Sequence, residues 1–180
     1  MSRRCRAESL AFRLLLAVVS VLSYAVLVQF TPLIEAIEGV PHLNTAFHLL
    51  IGAIFGAFVL APYARAPRRG LRGILLALAA AAIYYAAIRF VVDGPASLDA
   101  LDSFLIAGSA AALLCGLAVA LIAPQPFWRR TAVLLLVAGA VGGTSFALKV
   151  SFDPDLVIGH AVWQLLTCFG LYLGQRGSPT

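Results

Sequence analysis

Charge is scarce in this chain: only 12% of its 180 residues are charged, 62% are hydrophobic, and the mean hydropathy is +0.97. A soluble domain carries about 25% charged residues, so a water-soluble globule is excluded. No Asp or Glu lies inside any long apolar run, which removes the carboxylate relay common in proton-driven pumps. No phosphate-binding glycine loop, Gly-x-Ser-x-Gly elbow or His-Glu-x-x-His pair occurs, so the familiar nucleotide and hydrolase motifs are missing. The three cysteines, Cys5, Cys115 and Cys168, fit neither a disulfide framework nor a metal motif and are expected to act as small apolar residues. No small-residue box precedes Cys5 to mark a lipid anchor.

What is present is a succession of apolar runs. Six spans of about 20 residues would use about 120 positions, leaving room for short loops and two tails but for no soluble domain. The pattern predicts an all-α, polytopic six-helix bundle forming a single membrane domain over residues 1–180. Its helices are expected near 11–30, 44–63, 71–92, 103–123, 131–150 and 156–174. The charges alternate in sign between these runs. Arg3, Arg4, Arg6 and Arg13, then Arg65, Arg68, Arg69 and Arg72, then Arg129 and Arg130, then Arg176 mark one side. Glu35 and Glu38, then Asp93, Asp99 and Asp102, then Asp153 and Asp155 mark the other. Basic residues are retained in short cytoplasmic loops, so both termini are expected in the cytoplasm, and the membrane is read as a bacterial-type cytoplasmic (inner) membrane. The net charge of +5 is thereby assigned to membrane anchoring, and a nucleic-acid partner is excluded. The first apolar run is too long for a typical signal-peptide core and is read as a retained helix.

Helix ends are marked by Thr31-Pro32, by Pro62 and Pro67, by Asp93-Gly94-Pro95 and by Pro124-Gln125-Pro126. Asp102 or Ser103 is expected to cap the fourth helix. Phe127 and Trp128 suit an interfacial belt, and the loop from Leu33 to Leu43 suits a short interfacial helix. No span is clearly broken by Gly or Pro, although Gly142-Gly143-Thr144-Ser145 can loosen the fifth. Triplets ending at Phe30, Phe90 and Val150 recur with a period of 60 residues, which suggests three related helical hairpins. The glycine pairs Gly52/Gly56, Gly139/Gly143 and Gly170/Gly174 allow close backbone approach, either within the bundle or towards a membrane partner or a second copy.

Candidate functional residues gather on the acidic side. His42 falls in the first loop there, His48 about one turn into helix 2 and His160 about one turn into helix 6. Gln164 follows His160 at i+4 on one face, with Trp163 beside it. Arg89 and Lys149 close helices 3 and 5, with Asp93 and Asp153 four residues on. Together these residues can form a polar cluster at the mouth of the bundle, since intramembrane polar groups usually face an interior or a cavity. Each has a plainer reading. Arg89 and Lys149 can snorkel to the headgroups, the histidines can bond water at the interface, and Gln164 can glue helices together.

The sharper reading is a metal site. His48 and His160, with His42 or a carboxylate, would supply the three protein ligands a catalytic zinc requires; a bis-histidine haem is a further option for the same pair. Asn44-Thr45-Ala46-Phe47-His48 and Gly159-His160-Ala161-Val162-Trp163-Gln164 resemble the alkaline ceramidase and adiponectin-receptor group of membrane hydrolases. That group carries a Ser four residues before a His on an early helix, and a His-x-x-x-His pair next to a Trp on its last helix. The resemblance covers about a dozen residues and implies that His48 and His160 bind a metal. Asn44 stands in place of the Ser and Gln164 in place of the second His, and six helices are counted where the group has seven.

Two functions therefore stand as expectations. One is a non-enzymatic membrane protein, a solute-passage module or a partner subunit. The other is a metal-dependent hydrolase acting on a lipid-like substrate through His48 and His160. The topology is directly testable. A reporter active only in the periplasm is expected to be active when fused after Asp99 and silent when fused after Arg69; the reverse pattern would overturn the orientation.

Overall fold

The computed structural model describes residues 10–29, 41–64, 68–123, 129–149 and 157–176, without the side chains of Pro41, His42, Asn44, Lys149, Gln175 and Arg176. The proposed interfacial helix at 33–43 (apart from its last residues), the Phe127–Trp128 belt, Cys5 and the Lys149–Asp153 pair lie outside that description.

Inside hydrocarbon every backbone N–H and C=O needs a partner from its own segment or sheet, and the described residues contain helix and no strand. The helices are α1 (Leu10–Val28), α2 (Pro41–Phe55), α3 (Arg69–Asp93), α4 (Ala100–Ile122), α5 (Arg129–Lys149) and α6 (Val157–Arg176). Each of the six, counting α2 through its continuation to Tyr63, is long and apolar enough to cross a membrane. The chain is a multi-pass membrane protein, and its sides are named here by their loops, the arginine side and the aspartate side.

Two local details differ from expectation. Helix α4 begins at Ala100, and its cap is Asp99, whose carboxylate accepts the Asp102 N–H at 2.8 Å; Asp102 is thus the capped donor and Ser103 lies inside the first turn. Helix α2 does not stay α-helical. It widens into a π turn at Gly56–Leu60, where the Ala61 N–H donates to the Gly56 carbonyl, and tightens to a 3-10 turn at Ala61–Tyr63. Pro62 supplies the reason: it lacks an N–H, and its ring crowds the carbonyl one turn earlier. The glycines of α5, by contrast, leave it continuous from Arg129 to Lys149.

The distribution of side-chain size is that of a bundle in lipid. Large apolar residues face outward, among them Leu15, Leu22 and Val26 on α1, Ile74 and Leu78 on α3, and Val133, Val137 and Val141 on α5. Much of the interior is made of small residues: Ala17, Ala80, Ala81, Ala107, Ala111, Ala112, Cys115 and Ala138 are buried. Lipid tails are as apolar as leucine, so helices associate through close packing rather than through a hydrophobic drive. Consecutive helices from α2 to α6 pack side by side, and α1 closes the ring against α6 and α2.

The tightest approach is between α4 and α5. A Cβ added to Gly108 would stand 2.5 Å from the Gly139 carbonyl oxygen, and one added to Gly139 would stand 2.6 Å from the Ser109 Cα. Gly52 and Gly56 do the same for α2 against α3, and Gly170 and Gly174 face α5. All three glycine pairs therefore serve contacts within the chain. Gly108→Val should force the α4 and α5 backbones apart, at about 1–3 kcal/mol for overpacking of this kind. The expected result is a melting temperature in detergent lowered by several degrees, whereas Gly70→Ala, which meets open space, leaves it unchanged or slightly raised. Equal melting temperatures for the two variants would contradict the packing argument.

Candidate functional site

His160 is buried on the aspartate side of the bundle, with 2% of its surface exposed. Three other helices converge on it. Tyr24 of α1 stacks on the imidazole with ring centroids 3.8 Å apart, and Phe146 of α5 meets it edge-on at 4.9 Å. The Tyr84 hydroxyl of α3 is hydrogen-bonded to His160 Nε2. With the imidazole in its Nδ1–H tautomer, Tyr84 is the donor of that bond. The ring is thus clamped on both its face and its edge, an arrangement that sets its orientation before any ligand arrives.

Trp163 stands one turn deeper on α6. Its indole N–H donates to the Gly108 carbonyl of α4 at 3.1 Å, and its ring packs on Phe55 of α2 at 5.1 Å. The Gly108 carbonyl is kept clear by Gly139 opposite it, where a Cβ would collide with that oxygen. Gly142 of α5 lies so close to Trp163 that a Cβ there would be 2.6 Å from the indole Cδ1.

A pocket of about 60 Å³ lies between α3, α4, α5 and α6. His160, Trp163, Ala107 and Ala111 form its buried end, and Ile88, Val91 and Phe104 its partly exposed rim. A water molecule needs about 10–15 Å³ of such space, so the pocket accepts a group of a few heavy atoms. Its walls are apolar, with Tyr84 and His160 as a hydrogen-bonding handle.

The predicted polar cluster is divided by the structure. His160, Trp163 and Gln164 are buried together on α6. Arg89 is not drawn into their site: it pairs with Asp93 on the surface of α3, and both side chains are about half exposed. The sequence spacing marks both as neighbours of the helix end, but Arg89 falls on the outward face. His48 is half-buried on α2, edge-on to its neighbour Phe47; Tyr24, Tyr84 and Phe146, which pack on or bond His160, come from α1, α3 and α5. The His42 and Lys149 side chains lie outside the described residues. Among the described residues no group of three or more His, Cys, Asp or Glu side chains converges on a point that could hold a metal. Cys115 and Cys168 are free and buried, as expected of small apolar residues.

Sequence reasoning missed Tyr24, Tyr84 and Phe146. Tyr24 was detectable in principle, because Ala17, Ser20 and Tyr24 repeat at helical spacing among bulkier residues; Tyr84 and Phe146 carry no such local signal. A second unforeseen contact lies on the arginine side. The Arg13 guanidinium sits 3.8 Å over the Tyr63 ring, and the Cys168 thiol donates to the Arg13 carbonyl at 3.5 Å. Neither a known family's model, nor a curated protein, nor a solved structure matches this chain.

The buried and the surface pair should respond differently to mutation. Tyr84→Phe removes the hydroxyl that His160 Nε2 bonds, at about 1–3 kcal/mol for a buried partner lost. Arg89→Gln removes an exposed pair of the type worth about 0.3–0.5 kcal/mol, in the less favourable order with the cation first. Thermal melting in detergent is expected to fall clearly for the first and hardly at all for the second; the opposite ranking would show that the clamp is not a stabilising contact.

Proposed function

We propose that the protein is a non-enzymatic membrane module that admits a small neutral molecule, with the His160 pocket as its entry site. The observation that carries this reading is the pocket itself, which is partly open, apolar-walled and closed at its buried end by a preorganised imidazole and hydroxyl. Such a lining suits a molecule with a small apolar body and one or two hydrogen-bonding groups. Its size argues against accommodation of a whole lipid headgroup. The arginine-rich loops support a bacterial-type cytoplasmic membrane with both termini inside, which puts the pocket on the outer side. A partner-subunit role remains compatible with this reading, and the outward-facing apolar surface would serve lipid or a neighbouring membrane protein equally.

The metal-dependent hydrolase has less support. His160 Nε2 is engaged by Tyr84, aromatic rings pack on the imidazole, and among the described residues no group of three metal-ligating side chains gathers at one point. Zinc found by elemental analysis after mild detergent extraction would restore that reading.

The passage reading is tested in proteoliposomes with glycerol and 1,2-propanediol as neutral probes. Entry above the rate of protein-free vesicles is expected, faster for the propanediol, whose methyl group suits the apolar walls. Ala111→Phe, which fills the buried end of the pocket, is expected to reduce entry at least several-fold at equal protein content. No difference between protein and empty vesicles for either probe would refute the proposal.

A further inference from the structure

The interior hydroxyls of the bundle behave in two ways. Ser23, Thr144 and Ser145 donate to carbonyls of their own helices, Val19 at 2.8 Å, Ala140 at 2.9 Å and Gly142 at 2.6 Å. This is the usual way for a hydroxyl to satisfy itself on a helix. Ser20 and Thr167 do not. Both are almost fully enclosed, and neither hydroxyl oxygen has a hydrogen-bond partner among the described residues. The same holds for the Oε1 of Gln164, whose side chain is 2% exposed. Bare polar groups are costly inside a membrane, and three of them share one region.

Their placement follows from the register of α1 against α6. The Tyr24–His160 stack fixes one level, and the Cys168 thiol on the Arg13 carbonyl fixes another. The residue order of these two contacts makes the helices antiparallel. Ser20 lies four residues from Tyr24 towards the arginine side, and Gln164 lies four residues from His160 in the same direction. Each step is about 6 Å along the axis, so Ser20 and Gln164 stand at one level on adjacent helices. Thr167 stands about 4.5 Å further on. The file begins at the pocket, because Gln164 shares the face of His160 and directly follows Trp163. It ends near the Arg13 guanidinium over Tyr63.

We propose that Ser20, Gln164 and Thr167 form a binding file for water, leading from the His160 pocket to the Arg13–Tyr63 contact. The proposal rests on the passage reading above and extends it to the chemical class that travels the inner half of the route. The three side chains offer hydroxyl and amide groups that donate and accept, and none of them carries a charge. The described acids, Asp93, Asp99 and Asp102, all sit at the aspartate-side ends of α3 and α4. A cation in the file would meet no carboxylate among the described residues and would approach Arg13, so its lost hydration would not be replaced. Water satisfies each bare group and needs no counter-charge.

The test uses the full-length protein in phosphatidylcholine vesicles, with osmotic shrinkage in sucrose followed by stopped-flow light scattering and proton entry followed by an internal pH dye. Water permeability is expected to exceed that of empty vesicles several-fold, with proton entry unchanged. The triple variant Ser20→Ala, Gln164→Leu, Thr167→Val should return water permeability to the lipid level while its melting temperature stays equal or rises, because apolar groups replace bare polar ones. Wild-type water permeability in the triple variant would overturn the file. So would a fall of several degrees in its melting temperature, which would mark these residues as helix-bonding groups instead. If the triple variant conducts water normally while Ala111→Phe still blocks the propanediol, the file fails and the passage reading stands. If neither probe nor water passes the wild-type protein faster than the bilayer, both fail.

Discussion

The close approach of α4 and α5 at Gly108, Gly139 and Gly143 is the contact on which the site depends. In lipid no hydrophobic force drives helices together, so the gain comes from backbone lying against backbone, and any side chain there would forfeit it. The same absence of side chain leaves the Gly108 carbonyl open to the Trp163 indole at 3.1 Å. That bond sets the rotation of α6, and with it the direction of His160 one turn earlier and of Gln164 one residue later. Gly142, pressed against Trp163, holds the indole from the α5 side.

His160 in turn gathers elements that are far apart in sequence. Tyr24 comes from the first helix, Tyr84 from the third and Phe146 from the fifth. An imidazole removed from water needs hydrogen-bond partners in place of the solvent it has lost, and the Tyr84 hydroxyl supplies one. The aromatic rings exclude solvent around it. The result is a pocket that is apolar in bulk and polar at one place, a combination suited to selecting small neutral molecules by shape and by one hydrogen bond. The π turn of α2 at Gly56–Leu60 lies beside this assembly, with Phe55 packed on Trp163. Its wider winding answers the constraint of Pro62 and also re-aims the residues that follow, so that Tyr63 lies beneath Arg13.

Much of the architecture was legible along the chain. Six apolar runs became six helices, with ends within a few residues of Thr31-Pro32, Pro62, Asp93-Gly94-Pro95 and Pro124. These are local properties: an apolar run seeks hydrocarbon whatever its neighbours, and proline ends a helix through its own ring and missing N–H. The site was only half legible. His160, Trp163 and Gln164 stood out because intramembrane polar and amphipathic residues are rare, and their i, i+3, i+4 spacing put them on one side of a helix. Arg89 stood out for the same reason, yet faces outward and pairs with Asp93, because one turn of helix leads equally to an interior face or to a headgroup-facing one.

Sequence alone, then, determined the class, the helix count and the alternation of charge along the chain, since transfer of a side chain into hydrocarbon depends on that side chain and little else. It also determined that the glycine pairs would bring backbones together. Tertiary structure decided which backbones: α4 with α5, α2 with α3 and α6 with α5. It decided too that Tyr24, Tyr84 and Phe146 would gather around His160, and that Ser20 would share a level with Gln164. These pairings join residues separated by many tens of positions, and they arise from the rotation and register of whole helices. Rotation and register are set by the summed fit of many small contacts, so no single stretch of sequence contains them.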